Sequence, residues 1–226
     1  MKLKYKKAAV LVSMGTMFIG LMAFSMGVGS SKPVDKNAAV QTGEPAMMTE
    51  IDVEGLNRST DEKVNELVQS YFKASVAKDM DALEELVTNI EYVSESQLKI
   101  KYEYVEDVKN IECYLKEGTE EGTYLVYVYS ELKLKDIDTL APGLSRFYII
   151  TGEDGGLKVF FGADSEIEAL IEATDASEEI QELAAKVQTR LEEALSNDAD
   201  LMEFNKKLTE KVNTTDTTEE TEEQEQ

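Results

Sequence analysis

Histidine and tryptophan are absent from this chain, cysteine occurs once, proline three times, and 23 basic residues face 46 acidic ones. Without histidine, Ser-His-Asp and Cys-His relays and histidine-ligated zinc sites have nothing to build on. The single Cys113 cannot close an intramolecular disulfide, and it lies too far along the chain to carry a lipid at the end of the N-terminal hydrophobic segment. An exported chain without disulfides suits a bacterial surface better than a pathway that oxidises thiols. The net charge of −23, with no Lys/Arg cluster after Lys7, opposes binding to nucleic-acid phosphates. No nucleic-acid partner, cofactor or metal is therefore expected.

Charge is also missing from the stretch Ala8 to Ser31, which follows Lys2, Lys4, Lys6 and Lys7. From Ala8 to Val28 a helix would reach about 31 Å, close to the hydrocarbon thickness of a bilayer. That length favours an uncleaved transmembrane anchor, while small residues at Ser25 and Ser30 offer cleavage sites for a secretory signal. The positive-inside rule places the lysines in the cytoplasm and the rest outside. The expectation is a single-pass cell-membrane protein with a cytoplasmic N-terminus, or a secreted one if the signal is cut near Ser25 or Ser30.

Beyond residues 1–31, a polar stretch with Pro33 and Pro45 reads as a flexible linker over 32–58, and 213–226 as a disordered acidic tail. Between them Val64, Leu67, Val68, Tyr71, Phe72 and Val76 recur at helical spacing, so Asp61 to Lys78 is an amphipathic helix. Asp81 with Glu84 has the capping-box pattern for a second helix. Residues 94–104 satisfy both periods, since Leu98, Ile100, Tyr102 and Tyr104 alternate while Leu98, Tyr102 and Val105 suit a helix. Strands are expected over Ile111 to Leu115, Thr123 to Lys135, Ser145 to Thr151 and Leu157 to Phe161, with turns at Gly118 to Gly122 and Glu153 to Gly156 and a loop holding Pro142-Gly143. This is an α+β pattern of helices followed by antiparallel strands.

The helix ending in Tyr71-Phe72-Lys73-Ala74, the corner Ala77-Lys78-Asp79-Met80-Asp81-Ala82-Leu83 and the strands after it resemble the nuclear-transport-factor-2-like (SnoaL-like) cone fold. The stretches Ile111-Glu-Cys-Tyr-Leu-Lys-Glu-Gly118, Tyr124-Leu-Val-Tyr-Val-Tyr129 and Asp136-Ile-Asp-Thr-Leu-Ala-Pro-Gly143 are similar to exported proteins of clostridia-type Gram-positive bacteria with such a domain. The resemblance covers roughly Asp61 to Gly162 and the helical segment after it. It implies a cone-like domain over 59–162, with helices packed on a curved antiparallel sheet, and favours the helical reading of 94–104. It brings no established activity.

A helical extension is expected over 163–212. Asp175 and Glu178 form a second capping-box pattern, and Ile180, Leu183, Ala184, Val187, Leu191, Ala194 and Leu195 make an apolar stripe. Asp198 or Asp200 caps a further helix with Leu201, Phe204, Leu208 and Val212. These stripes must bury against each other, the sheet or a partner chain, so helices 177–212 are the candidate surface for a protein partner or self-association.

In a cone fold the sheet and helices enclose a pocket, and by that analogy Tyr71, Tyr102, Tyr127, Tyr129, Tyr148 and Phe160 are the candidate ligand-binding residues. The simpler reading of strand aromatics is core packing. A base for lyase or isomerase chemistry would have to be a buried carboxylate, whereas the acids fall in loops and on helix faces. The carboxylates at Asp136/Asp138, Asp164/Glu166/Glu168 and Asp198/Asp200 lack calcium-loop spacing and sit where helices start. Cys113 shares its alternation with Ile111 and Leu115 and reads as a small buried hydrophobe. The expected function is a non-catalytic, membrane-tethered binding or scaffolding protein of the cell envelope. The alternative is a small-molecule-binding or lyase/isomerase-type pocket protein of the same cone fold.

Overall fold

In the computed structural model, residues 51–152 and 155–209 are described. The anchor or signal, most of the linker and the acidic tail lie outside them. No helix among the described residues is long and apolar enough to cross a membrane.

Helix α1 (Glu62–Ala77) forms where the apolar spacing predicts it, with Asp61 Oδ1 accepting the Lys63 and Val64 amides at its start. It ends at Lys78, whose left-handed backbone (φ 56°) turns the chain sharply into α2 (Met80–Leu86). Asp79, not Asp81, caps α2: its carboxylate accepts the Ala82 amide at 3.0 Å. The cap therefore sits two residues earlier than the Asp81/Glu84 spacing suggests, because the corner at Lys78 leaves room for a single extended residue before the helix. A short 3-10 turn (Ile90–Tyr92) leads to α3 (Glu95–Lys101), capped by Ser94. The ambiguous stretch 94–104 is thus helix up to Lys101, and the strand begins only at Val105.

Four antiparallel strands follow in the order β1-β2-β3-β4: β1 (Val105–Glu117), β2 (Tyr124–Leu134), β3 (Ala141–Thr151) and β4 (Leu157–Val159). Pro142-Gly143 belongs to β3, opposite Glu131 and Ser130, and not to a loop. Because β4 pairs only with residues 149–151, β3 is an outer strand at 142, and a proline is tolerated at such an edge. At the turn before β2, a Cβ on Gly118 would collide with Thr123 Oγ1 and Tyr148 Oη, so only glycine fits there.

Helices cover both faces of the sheet. One face carries Cys113, Val126, Val128, Phe147 and Ile149 and packs against Val68, Phe72, Leu83 and Leu98 of α1, α2 and α3. The other carries Tyr114, Leu125, Tyr127, Tyr129, Leu144 and Tyr148 and is covered by α4 (Ser165–Asp175), α5 (Glu178–Asn197) and the segment 51–58. The linker therefore stops short of 58: Ile51, Val53 and Leu56 are buried, and the Ser59 amide bonds the Cys113 carbonyl at 2.7 Å.

The C-terminal helices complete this domain. Ile180, Leu183 and Val187 of α5 enter the second core, and Leu191 enters the first, together with Leu201 of a further helix α6 (199–209). Asp198 caps α6 by accepting the Asp200 and Leu201 amides. Asp175 does not cap α5. It ends α4, Ser177 takes the position before α5, and the Asp175 carboxylate is held elsewhere.

Candidate functional site

Strand alternation decides where Tyr127, Tyr129 and Tyr148 go, while Tyr71 sits on α1, Tyr102 follows α3 and Phe160 follows β4. Tyr71 and Tyr102 lie on the face bearing α1; Tyr127, Tyr129, Tyr148 and Phe160 lie on the face bearing α5. The sheet separates the two groups. Tyr71 packs edge-on against Phe147, 5.1 Å between centroids, and stacks on Phe161. Tyr102 is fully buried beside the end of α1, where Lys78 Nζ donates to its carbonyl at 3.2 Å. Burial pushes the Tyr71 phenol up to about 12, offset slightly by the Ser75 hydroxyl, and raises Tyr102 for the same reason.

On the opposite face the tyrosines form a polar belt set by cross-strand register. Glu112 stands opposite Tyr129, Tyr114 opposite Tyr127, and Tyr127 opposite Arg146. Each hydroxyl reaches an oxygen partner. Tyr127 Oη donates to Asp175 Oδ1 at 2.6 Å, while Arg146 Nη1 bonds Asp175 Oδ2, so the last residue of α4 is fixed to two strands. Tyr129 donates to Glu131, which also accepts from Asn110 Nδ2, and the Arg190 guanidinium of α5 sits over the Tyr129 ring at 5.3 Å. Tyr114 Oη lies 2.9 Å from the Ile51 carbonyl and 3.1 Å from Glu112 Oε2, and Glu112 pairs with Arg58 at 3.0 Å. Tyr148 Oη accepts the Thr119 amide at 2.8 Å, contacts the Thr119 and Thr123 hydroxyls, and packs edge-on to Phe160.

Tyr114, Tyr127 and Tyr129 resist ionisation. Desolvation, with Glu112 adding to it, pushes Tyr114 up to about 12. Tyr127 and Tyr129 are also raised, first by burial and then by the carboxylates of Asp175 and Glu131 that accept their protons in hydrogen bonds. The belt can therefore hold its neighbours through neutral phenol donors. Burial likewise pushes the Cys113 thiol up to about 12, which makes it an unreactive packing group.

Among the described residues, no group of three or more acidic or cysteine side chains is arranged to hold a metal ion. Asp164 and Asp198 are helix caps, and Asp138 reaches Lys133 at 3.4 Å. Among the described residues, two of the open surface grooves adjoin these layers. The larger, about 440 Å³, runs between α1 and the outer strand β1 and is lined by Phe72, Lys73, Val76, Asp107, Val108 and Ile111 among others. The second, about 390 Å³, lies between Ile51-Asp52 and the α5 residues Lys186, Thr189, Arg190 and Glu193. None of the six candidate aromatics lines either groove.

The residues that sequence patterns missed are the acids and arginines of the belt. A lone arginine inside the apolar strand around Ser145-Arg146-Phe147-Tyr148 was a readable signal, because a buried guanidinium requires a carboxylate. Its partner Asp175 was hidden by its resemblance to a cap. In comparison with known proteins, the chain matches no family model, no curated protein and no solved structure.

Proposed function

We propose that this protein is a membrane-tethered, extracytoplasmic binding or scaffolding domain of the cell envelope, without catalytic chemistry of its own. The observation that carries this reading is the tyrosine belt. Its tyrosine side chains are buried beneath α5 and the segment 51–58, and their hydroxyls are taken up by partners within the fold, which leaves none of them presented to a substrate. The N-terminal lysines and the uncharged run from Ala8 to Ser31 support delivery across the membrane. The cone-like assignment belongs to this proposal and is supported by the α1 to α2 corner followed by an antiparallel sheet. A partner of helices 177–212 would meet the outward side of α5, since Ile180, Leu183, Val187 and Leu191 pack inside the chain.

One observation favours the second reading, a small-molecule or lyase/isomerase-type pocket. Ser130 and Ser145 are buried on the face bearing α1 with no hydrogen-bond partner for their hydroxyls among the described residues. Buried hydroxyls without partners are uncommon and invite a water or a polar ligand. The two readings separate in one experiment on intact cells carrying the chain with a C-terminal tag. Protease should remove the tag from outside, and Ser130→Ala with Ser145→Ala should leave binding of envelope material unchanged. Protection of the tag until the cells are opened contradicts export, and loss of binding in the serine variants favours the pocket.

A further inference from the structure

We infer that the outer edge of β1 is a pairing surface for a second copy of this chain, joined antiparallel about Val108. The inference rests on the edge itself and does not depend on the exported reading. β1 borders the sheet, and only its far half is covered, where the Ser59 amide bonds the Cys113 carbonyl. Among the described residues, no backbone bond reaches the outer side of 106–111 from elsewhere in the fold. The Val108 amide points outward, since it is held at 2.9 Å by the carboxylate of its own neighbour Asp107.

Charged side chains on an edge strand usually deter pairing. Here their order does the opposite for one particular partner. Laid antiparallel on itself about Val108, the regular stretch Asp107-Val108-Lys109 brings Asp107 opposite Lys109 twice, once on each side of the two-fold axis. Asp107 and Lys109 are exposed. In an antiparallel pair, residues directly opposite share a face. The second copy's Val108 would therefore project on the side of α1, beside the groove of about 440 Å³ whose apolar lining is Phe72, Val76, Val108 and Ile111. Register shifts at Val105/Asp107 and Lys109/Glu112 bound the regular stretch, so the contact is short and the dimer is weak and concentration-dependent.

The test is cross-linking of the full chain. Val108→Cys places a thiol on the two-fold axis, where a hydrogen-bonded antiparallel pair holds Cα atoms about 5.5 Å apart, a separation that a disulfide spans. Mild oxidation should give a covalent dimer from Val108→Cys and none from Glu117→Cys at the far end of the same strand. The buried Cys113 of the parent chain should stay monomeric. Adding Lys109→Glu should cut the cross-linked fraction about tenfold, and Lys109→Glu combined with Asp107→Lys should restore it. Unfolding midpoints of all variants check that the fold is intact. Equal cross-linking at 108 and 117, no dimer at any concentration, or failure of the charge swap to rescue each overturns the proposal.

Discussion

The two faces of the sheet are held by different physics. Under α1 the contact is almost entirely shape. Tyr71, Phe72, Phe147 and Phe161 meet at centroid distances of 5.1 to 6.4 Å, and Cys113, Val126 and Val128 fill the space beneath them. Under α5 the rings of Tyr114, Tyr127, Tyr129 and Tyr148 are just as buried, yet the hydroxyls of Tyr114, Tyr127 and Tyr148 are tied to a neighbouring layer or turn, and that of Tyr129 to Glu131 of its own strand. Dispersion and burial tolerate small adjustments of neighbours, whereas hydrogen-bonded groups fix one register. The second face therefore sets where α4, α5 and the segment 51–58 sit.

The largest effect should come from the apolar face. Phe147→Ala removes a ring that Tyr71 and Phe72 both contact and should cost about 3–5 kcal/mol in denaturant unfolding. On the belt, Arg146→Ala leaves the Asp175 carboxylate without its cation. Because Asp175 is 29% exposed, the cost should fall at about 2–3 kcal/mol. A smaller loss at Arg146 than at a solvent-exposed control such as Lys99 would erase the distinction between the faces. Gly118→Ala forces the turn away from Thr123 and Tyr148 and should cost about 1–3 kcal/mol. Tyr127→Phe should cost about 1 kcal/mol, since Asp175 keeps Arg146.

Alkaline pH sharpens the same comparison. A phenol with a folded pKa above its unfolded value contributes stability that is fully present below the unfolded pKa of about 10 and is lost as pH rises through the folded value. With Tyr71 and Tyr114 pushed up to about 12 and Tyr127 and Tyr129 also raised, stability should fall steadily from about pH 10 to 12. Unfolding midpoints measured across that range should decline less in a Tyr114→Phe, Tyr127→Phe, Tyr129→Phe variant.

Periodic elements were legible in the sequence because their signal is local. The stripe from Val64 to Val76 reports one buried helix face, and the Val, Leu and Tyr run from Thr123 to Lys135 reports a strand, here buried on both faces; both elements formed where those patterns lie. Caps were less legible. Asp81 and Asp175 carry the right spacing, but the corner at Lys78 gave the first role to Asp79, and Arg146 claimed the second carboxylate. Alternation tells which residues share a face of one strand and not which face α1 covers, so the six candidate aromatics divide between two faces instead of lining one pocket. The belt needed register: Glu112 faces Tyr129 only through the bulge at Lys109/Glu112 and the left-handed Asn110.

That register, and the carboxylates it places under α5, make the C-terminal helices part of the domain. Hydrogen exchange on the full chain tests this most directly. Amides of α5 should show protection matching those of α1 and should be lost with them in one cooperative step, because Leu183, Val187 and Leu191 share the cores of the sheet. Exchange of α4 and α5 at much lower protection, while α1 and β2 remain closed, would make them a detachable extension and contradict the account.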